Sequence, residues 1–128
     1  MNTYLQQLAL IAGAIFGILA IILGAFGAHA FKKLITTEKL QSFEVGVRYQ
    51  MYAAITLLVM GFNLDFTSAT NSTAVYMMIV GTMLFSFSIY FLSFAEYWNK
   101  NLKFLGPITP LGGLLMIMSW CCLLISFV

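Results

Sequence analysis

Apolar residues are concentrated in four long stretches of this chain, separated by short polar segments. The stretches are Leu5–Ala28, Phe43–Phe62, Ala74–Ala95 and Leu111–Val128. The hydrocarbon layer of a membrane is about 30 Å thick and requires roughly 20 helical residues at about 1.5 Å each. Each stretch holds about 18 to 24 residues, so the pattern predicts four transmembrane helices. No connecting segment is long enough for a soluble domain, which predicts a single integral membrane domain over residues 1–128.

The composition supports the same fold class. Hydrophobic residues make up 62% of the chain and charged residues only 8%, whereas soluble domains contain roughly 25% charged residues. A soluble core could not hide this much apolar surface. We therefore predict an all-α transmembrane four-helix bundle. The net charge of +2 is small and gives no indication of nucleic-acid binding.

The basic residues fall on one side of the predicted bundle. They lie in or beside the first and third connections, at Lys32, Lys33, Lys39, Arg48, Lys100 and Lys103. The positive-inside bias places that side in the cytoplasm and both termini outside. Ala28-His29-Ala30 resembles a signal-peptide cleavage site, but no Lys or Arg precedes the long apolar run. Asn71-Ser72-Thr73 is a glycosylation acceptor only if its loop enters a secretory lumen.

Small residues recur along the first stretch at spacings of three or four, and Gly13, Gly17, Gly24 and Gly27 are the glycines of this stripe. Such a stripe lets another helix approach closely, which drives helix association in lipid. The partner is either another helix of the same chain or a second copy. We favour the same chain, because three helices are already tethered nearby. Gly17 and Gly24 are expected to contact another helix.

Polar residues at the basic end of the predicted bundle form a candidate site, here called the polar collar: His29, Glu44, Arg48, Tyr49 and Glu96. Glu44 precedes Arg48 by four residues, the favoured order for a helical ion pair. Charges in a membrane span are costly and usually pair or face a cavity. We therefore expect Arg48 to contact Glu44 and a further polar side chain, with His29 within reach. The collar either binds a lipid, quinone or anion, or only locks the helix register.

Other chemistries receive little support from the residues. A single histidine supplies neither two haem ligands nor a metal site. Cys121 and Cys122 are adjacent, about 100° apart on a helix, and cannot act as a redox pair. No catalytic residue, metal or cofactor is therefore predicted.

Four segments of the chain together resemble a known family. They are Gly24–Phe31, Phe43–Tyr52, Leu84–Tyr90 and Leu105–Gly113. In this order they resemble domain-of-unknown-function family 423, of the UPF0382 type, which comprises small bacterial inner-membrane proteins with relatives in animal cells. The chain departs from the family pattern at Val45, where the family tends to have Thr, and at Phe87, where it tends to have Gly. The resemblance implies a membrane location and no particular reaction.

These observations lead to three hypotheses for function. The first is a non-enzymatic accessory or scaffold bundle whose polar collar binds lipid headgroups or a partner helix. The second is a small oligomeric carrier or channel, and the third is a membrane enzyme acting on a lipid or quinone. The expected partners are the lipid bilayer and either another membrane protein or a second copy. A cavity open to lipid beside Arg48 would favour lipid or quinone binding, and a continuous polar path would favour transport.

Overall fold

The structure, a computed structural model, describes residues 3–128, apart from the side chains of Thr3 and Ala28. This part of the chain contains helices and no strands. The helices are α1 (Thr3–His29), α2 (Thr37–Asn63), α3 (Ala69–Thr82), α4 (Ser88–Phe94) and α5 (Ile108–Ser126). Short 3₁₀ turns cover Phe31–Lys33 and Lys103–Leu105. A π-helical turn, Met83–Phe87, joins α3 to α4 without a break in the span.

Four segments of the described chain are long and apolar enough to cross a membrane: Tyr4–Gly27, Thr37–Asn63, Ala69–Phe94 and Lys103–Ser126. The predicted all-α transmembrane four-helix bundle is thereby confirmed. The second, third and fourth membrane-spanning segments begin before the apolar stretches at Phe43, Ala74 and Leu111, because the helices extend through polar residues that hydropathy leaves out. Thus α2 begins at Thr37, where the Thr36 hydroxyl accepts a hydrogen bond from the Lys39 amide at 3.2 Å.

The helices pack in chain order. α1 lies along α2, the third span packs against α2, and α5 packs mainly against α3 and the π-helical turn. The centre is filled by fully buried side chains, chiefly Leu57, Met60, Val75 and Met78. Phe87 contributes an edge-to-face contact with Phe16, with ring centroids 6.5 Å apart.

All four glycines of the predicted stripe face α2, although they differ in how closely the helices meet. A Cβ atom at Gly13 would lie 2.8 Å from the Ala54 carbonyl oxygen. At Gly17, Gly24 and Gly27 the nearest neighbours would be between 3.4 and 3.9 Å away, which is ordinary contact. Only Gly13 is therefore required for the approach of α1 to α2.

The tightest glycine contact joins α3 to α5. A Cβ atom at Gly81 would lie 2.9 Å from the Gly112 carbonyl oxygen, and one at Gly112 would lie 2.7 Å from the Gly81 carbonyl oxygen and closer still to the Phe85 amide. The two backbones thus touch directly, the arrangement that small residues allow between membrane helices.

α2 and α5 both pack against the third span, but their backbones stay apart. Among the described residues, no Cα atom of α2 comes within 8 Å of one of α5. The bundle is therefore open along one side.

Candidate functional site

The structure does not assemble the polar collar as predicted. His29, Glu44, Arg48, Tyr49 and Glu96 are all exposed. Among the described residues, neither Glu44 nor Arg48 makes an ion pair or a hydrogen bond, so the expected contact between them is wrong. A spacing of four residues places two side chains on one helix face, but it does not fix the direction in which long side chains extend.

The remaining collar residues make no hydrogen bond or ion pair with Glu44 or Arg48 in the described chain. His29 ends α1 and has no polar partner in the part of the chain that the structure describes. Glu96 follows α4, beside the lysines of the third connection. Tyr49 instead packs its ring against Tyr52 and Phe85, with centroids 5.6 and 5.3 Å away. Whether these residues bind a ligand stays a prediction.

Buried polar contacts lie deeper in the bundle. Gln50 is fully buried, and its amide nitrogen donates to the Phe16 carbonyl at 2.9 Å. Its side-chain oxygen accepts a hydrogen bond from the Tyr90 hydroxyl at 2.6 Å. These two bonds connect α1, α2 and α4. The only sequence signal for Gln50 is an uncharged amide in an apolar stretch, which does not reveal its partners.

Two buried serines make similar contacts between helices. Ser86, in the π-helical turn, donates to the Gly46 carbonyl at 2.8 Å, and Ser119 on α5 donates to the Ala74 carbonyl at 2.6 Å. Interhelical hydrogen bonds of this kind hold membrane helices together. Both hydroxyls therefore join helices of the bundle to each other.

The gap between α2 and α5 forms a cavity of about 640 Å³ that opens to the outer surface of the bundle, where Tyr52, Ile117 and Trp120 are exposed. One wall comes from α2, through Val45, Tyr49, Tyr52, Ala53 and Thr56; the other comes from α5, through Gly113, Met116, Ile117 and Trp120. Met78 and Phe85 of the third span form its floor. We call this cavity and its continuation described next the α2–α5 groove.

The groove continues toward the end of the bundle that carries the C-terminus. A second cavity of about 520 Å³ shares Thr56 and Trp120 with the first and reaches Asn63 on α2 and Phe127 beyond α5. Its other lining residues are almost all apolar. The wall residues of α2 recur every three or four positions, so one face of the helix lines the groove throughout. Neighbouring cavities of this size and polarity fit an elongated apolar ligand.

Arg48 flanks the groove at the end nearest the basic connections. It lies three residues after Val45 and four before Tyr52, so helix geometry places it beside these wall residues. Sequence reasoning selected Arg48 and Tyr49 but did not detect the groove, because the groove depends on the distance between two helices far apart in the chain.

No group of three or more His, Cys, Asp or Glu side chains comes together among the described residues. Cys121 and Cys122 are free thiols on α5. Asn71, in the glycosylation triplet, is buried, and its amide donates to the Asp65 carbonyl at 2.8 Å. Glycan attachment requires an accessible amide, so this geometry is unsuited to it.

The comparisons with known proteins agree with the resemblance seen in the sequence. Residues 23–113 match the family described as "Protein of unknown function (DUF423)". The UPF0382 membrane protein YwdK of Bacillus subtilis is 42% identical over 96% of this chain and 98% of its own length. A UPF0382 membrane protein of Staphylococcus haemolyticus is 34% identical over 94% of this chain and 95% of its own. No solved structure matches the chain.

Proposed function

The chain belongs to the DUF423 family of membrane proteins, and we propose that it is a non-enzymatic accessory bundle that binds a lipid in the α2–α5 groove. The observation that carries the proposal is the open side of the bundle, where α2 and α5 stand apart over the third span. The ligand's acyl chain lies in the groove, and its polar head lies toward the basic end.

The physical reason is the environment of the groove. Packed helices usually stand 8–10 Å apart, and a wider gap leaves wall atoms without partners. An empty gap forfeits dispersion contacts, and water does not enter an apolar crevice in hydrocarbon. A lipid chain offers the matching surface. The wall residues Ile117 and Trp120 on α5 are exposed and available to contact such a chain.

Polar groups on the α2 wall favour a lipid over a purely apolar ligand. Tyr49 and Tyr52 carry hydroxyls on this wall, and neither hydroxyl makes a hydrogen bond in the described chain. The Arg48 side chain has no polar partner among the described residues and flanks the same wall. An ionisable residue in a membrane span is a functional-site candidate by default.

The use of the buried polar side chains supports a binding role over transport. A carrier or channel would need polar side chains that are free to bond a solute along a path, whereas Gln50, Ser86 and Ser119 bond to other helices of the bundle. The basic residues at one end orient that end toward the cytoplasm by the positive-inside bias, with both termini outside. The proposed partners are thus the bilayer and, in the groove, one of its lipids.

The experiment is native mass spectrometry of the full chain released from lipid nanodiscs. Gly113→Phe places a ring in the groove, because a Cβ there meets only Phe85 carbons at 3.5 and 3.7 Å. The matched control is Leu114→Phe, on the adjacent exposed face of α5. We expect Gly113→Phe to reduce retained lipid several-fold and Leu114→Phe to leave it unchanged.

Equal retention by both variants would contradict the proposal. Thr56→Trp, which fills the groove from the α2 wall, provides an independent check in case Gly113→Phe does not fold. A protein that co-purifies in place of lipid, and is lost in the same two variants, would identify the groove as a helix-docking surface and would overturn lipid binding.

A further inference from the structure

A second concave surface lies at the basic end of the bundle. It has a volume of about 500 Å³ and is formed by the start of α2, the end of α4 and the connection that follows. We call it the basic bowl. Its polar lining residues are Lys39, Glu96, Asn99, Lys100, Asn101 and Lys103. None of these residues takes part in the α2–α5 groove.

The charge of the bowl is unbalanced. Three lysines face one carboxylate, Glu96, and no lysine of the bowl is within 4 Å of an acidic side chain in the described chain. Lys39 is half-buried, and its ammonium group has no acidic partner in the described chain. An anion in the bowl would supply the missing partner.

The bowl is held in shape by its own backbone. The chain turns at Asn99, which adopts the left-handed conformation with φ of 54°. The Lys100 amide then bonds back to the Ala95 carbonyl at 2.9 Å, and the Lys103 amide bonds to the Asn101 side chain at 3.2 Å. The lysines of the connection are therefore presented from a defined loop.

A smaller cavity links the bowl to the level of the groove. It holds about 410 Å³, shares Lys39 and Leu92 with the bowl, and is lined by the hydroxyl-bearing residues Ser42, Ser93 and Thr109. One helical turn further along, Val45 on α2 and Gly113 on α5 begin the groove. From the bowl inward, the lining changes from cationic to hydroxyl-bearing to apolar.

We propose that the basic bowl binds the phosphate of an anionic phospholipid whose acyl chain lies in the α2–α5 groove. The cationic, hydroxyl-bearing and apolar linings follow one another in the same order as the phosphate, the glycerol esters and the acyl chain of such a lipid. From Lys39 to Val45, where the α2 wall of the groove begins, the helix rises about 9 Å, so the phosphate site and the groove follow each other along one face of α2. Basic pockets between transmembrane helices on the cytoplasmic side suit such headgroups. This inference rests on the proposed function.

The test compares phosphatidylglycerol with phosphatidylcholine of identical chains, each presented to the full-length protein and measured by native mass spectrometry. We expect the unmodified chain to retain both lipids and to prefer the anionic one. The triple variant Lys39→Gln, Lys100→Gln, Lys103→Gln should lose the preference, by about five-fold per lysine, and still retain phosphatidylcholine. The control is Lys32→Gln with Lys33→Gln, two exposed lysines at the same end that line neither the bowl nor the groove.

The outcomes separate the two proposals. Failure of the unmodified chain to retain either lipid would refute groove binding. Retention of both lipids without preference, or a preference that survives the triple variant, would refute the bowl as the phosphate site. A further outcome is that water-soluble glycerol phosphate stabilises the protein against heat as much as phosphatidylglycerol does. That result would show that the bowl binds a free phosphate compound and would refute a phospholipid as its ligand.

Discussion

The hydrogen bonds of Gln50 permit a quantitative test of the interior packing. Tyr90→Phe removes only the hydroxyl that donates to the Gln50 side-chain oxygen at 2.6 Å. Because Gln50 is fully buried, that oxygen has no water to replace the lost donor. An orphaned buried acceptor costs about 1–3 kcal/mol, whereas side-chain bonds in membrane proteins average about 0.6 and reach about 1.7 kcal/mol. We therefore expect Tyr90→Phe to lower the free energy of unfolding by about 1–1.5 kcal/mol.

Gln50→Leu removes both bonds and leaves the Tyr90 hydroxyl without this acceptor. The Phe16 carbonyl keeps its place in the α1 hydrogen-bond ladder, so most of the loss comes from the Tyr90 contact. Adding Tyr90→Phe to Gln50→Leu should then cost little more. The expected coupling energy of the double-mutant cycle is about 1 kcal/mol.

The assay is equilibrium unfolding of the four proteins in mixed detergent micelles, followed by circular dichroism. Tyr76→Phe is the control, since Tyr76 is exposed on α3 and has no hydrogen bond in the described chain. Its effect should be close to zero. Additive losses from Tyr90→Phe and Gln50→Leu would refute the reasoning, because they would mean that the two side chains do not share a bond.

Three further predictions test other contacts. Gly112→Ala should lower the free energy of unfolding by about 1–3 kcal/mol or prevent folding, because the added methyl meets the backbone of α3 and the π-helical turn. Gly113→Ala leaves room for a Cβ and should be neutral or stabilising in the same unfolding assay. Equal effects of the two variants would contradict the close approach of α3 and α5. The effects of Glu44→Gln and Arg48→Gln on the free energy of unfolding should add within about 0.5 kcal/mol in a double-mutant cycle. A larger coupling energy would show that the two side chains form an ion pair. Asn99→Ala should lower the free energy of unfolding by about 1 kcal/mol and Asn99→Gly should leave it almost unchanged, because glycine and asparagine tolerate this φ readily. A lower thermal stability of Asn99→Gly than of Asn99→Ala would exclude the left-handed turn.

The sequence predicted the fold class because its physical cause is local. Each span must carry enough apolar residues to cross hydrocarbon, and that number is visible in a window of the chain. Apolar stretches alone mark helix ends less well, because an amphipathic first turn such as that beginning at Thr37 is polar in sequence yet still helical. Polar capping residues extend a helix beyond its apolar part.

The candidate site was only partly visible in the sequence. Arg48 and Tyr49 were selected because a charge and a phenol in a span are unusual, and both lie beside the groove. The predicted pairing of Glu44 with Arg48 failed because spacing alone does not fix the direction of long side chains on an exposed face. Gly112 carries the tightest backbone contact but has no signal of its own, since its importance depends on Gly81 of another helix.

The most direct test of lipid binding in the α2–α5 groove is photo-crosslinking with a phospholipid that carries a diazirine on its acyl chain. After irradiation in nanodiscs, mass spectrometry of peptides compares adducts on the groove residues Thr56, Ile117 and Trp120 with adducts on Ile11, Ile15 and Ile18. The isoleucines of α1 are exposed to lipid and provide the background for bulk bilayer contact. We expect adducts to concentrate in the groove and to disappear from it in Gly113→Phe. An even distribution over both surfaces, unchanged in that variant, would contradict lipid binding in the groove.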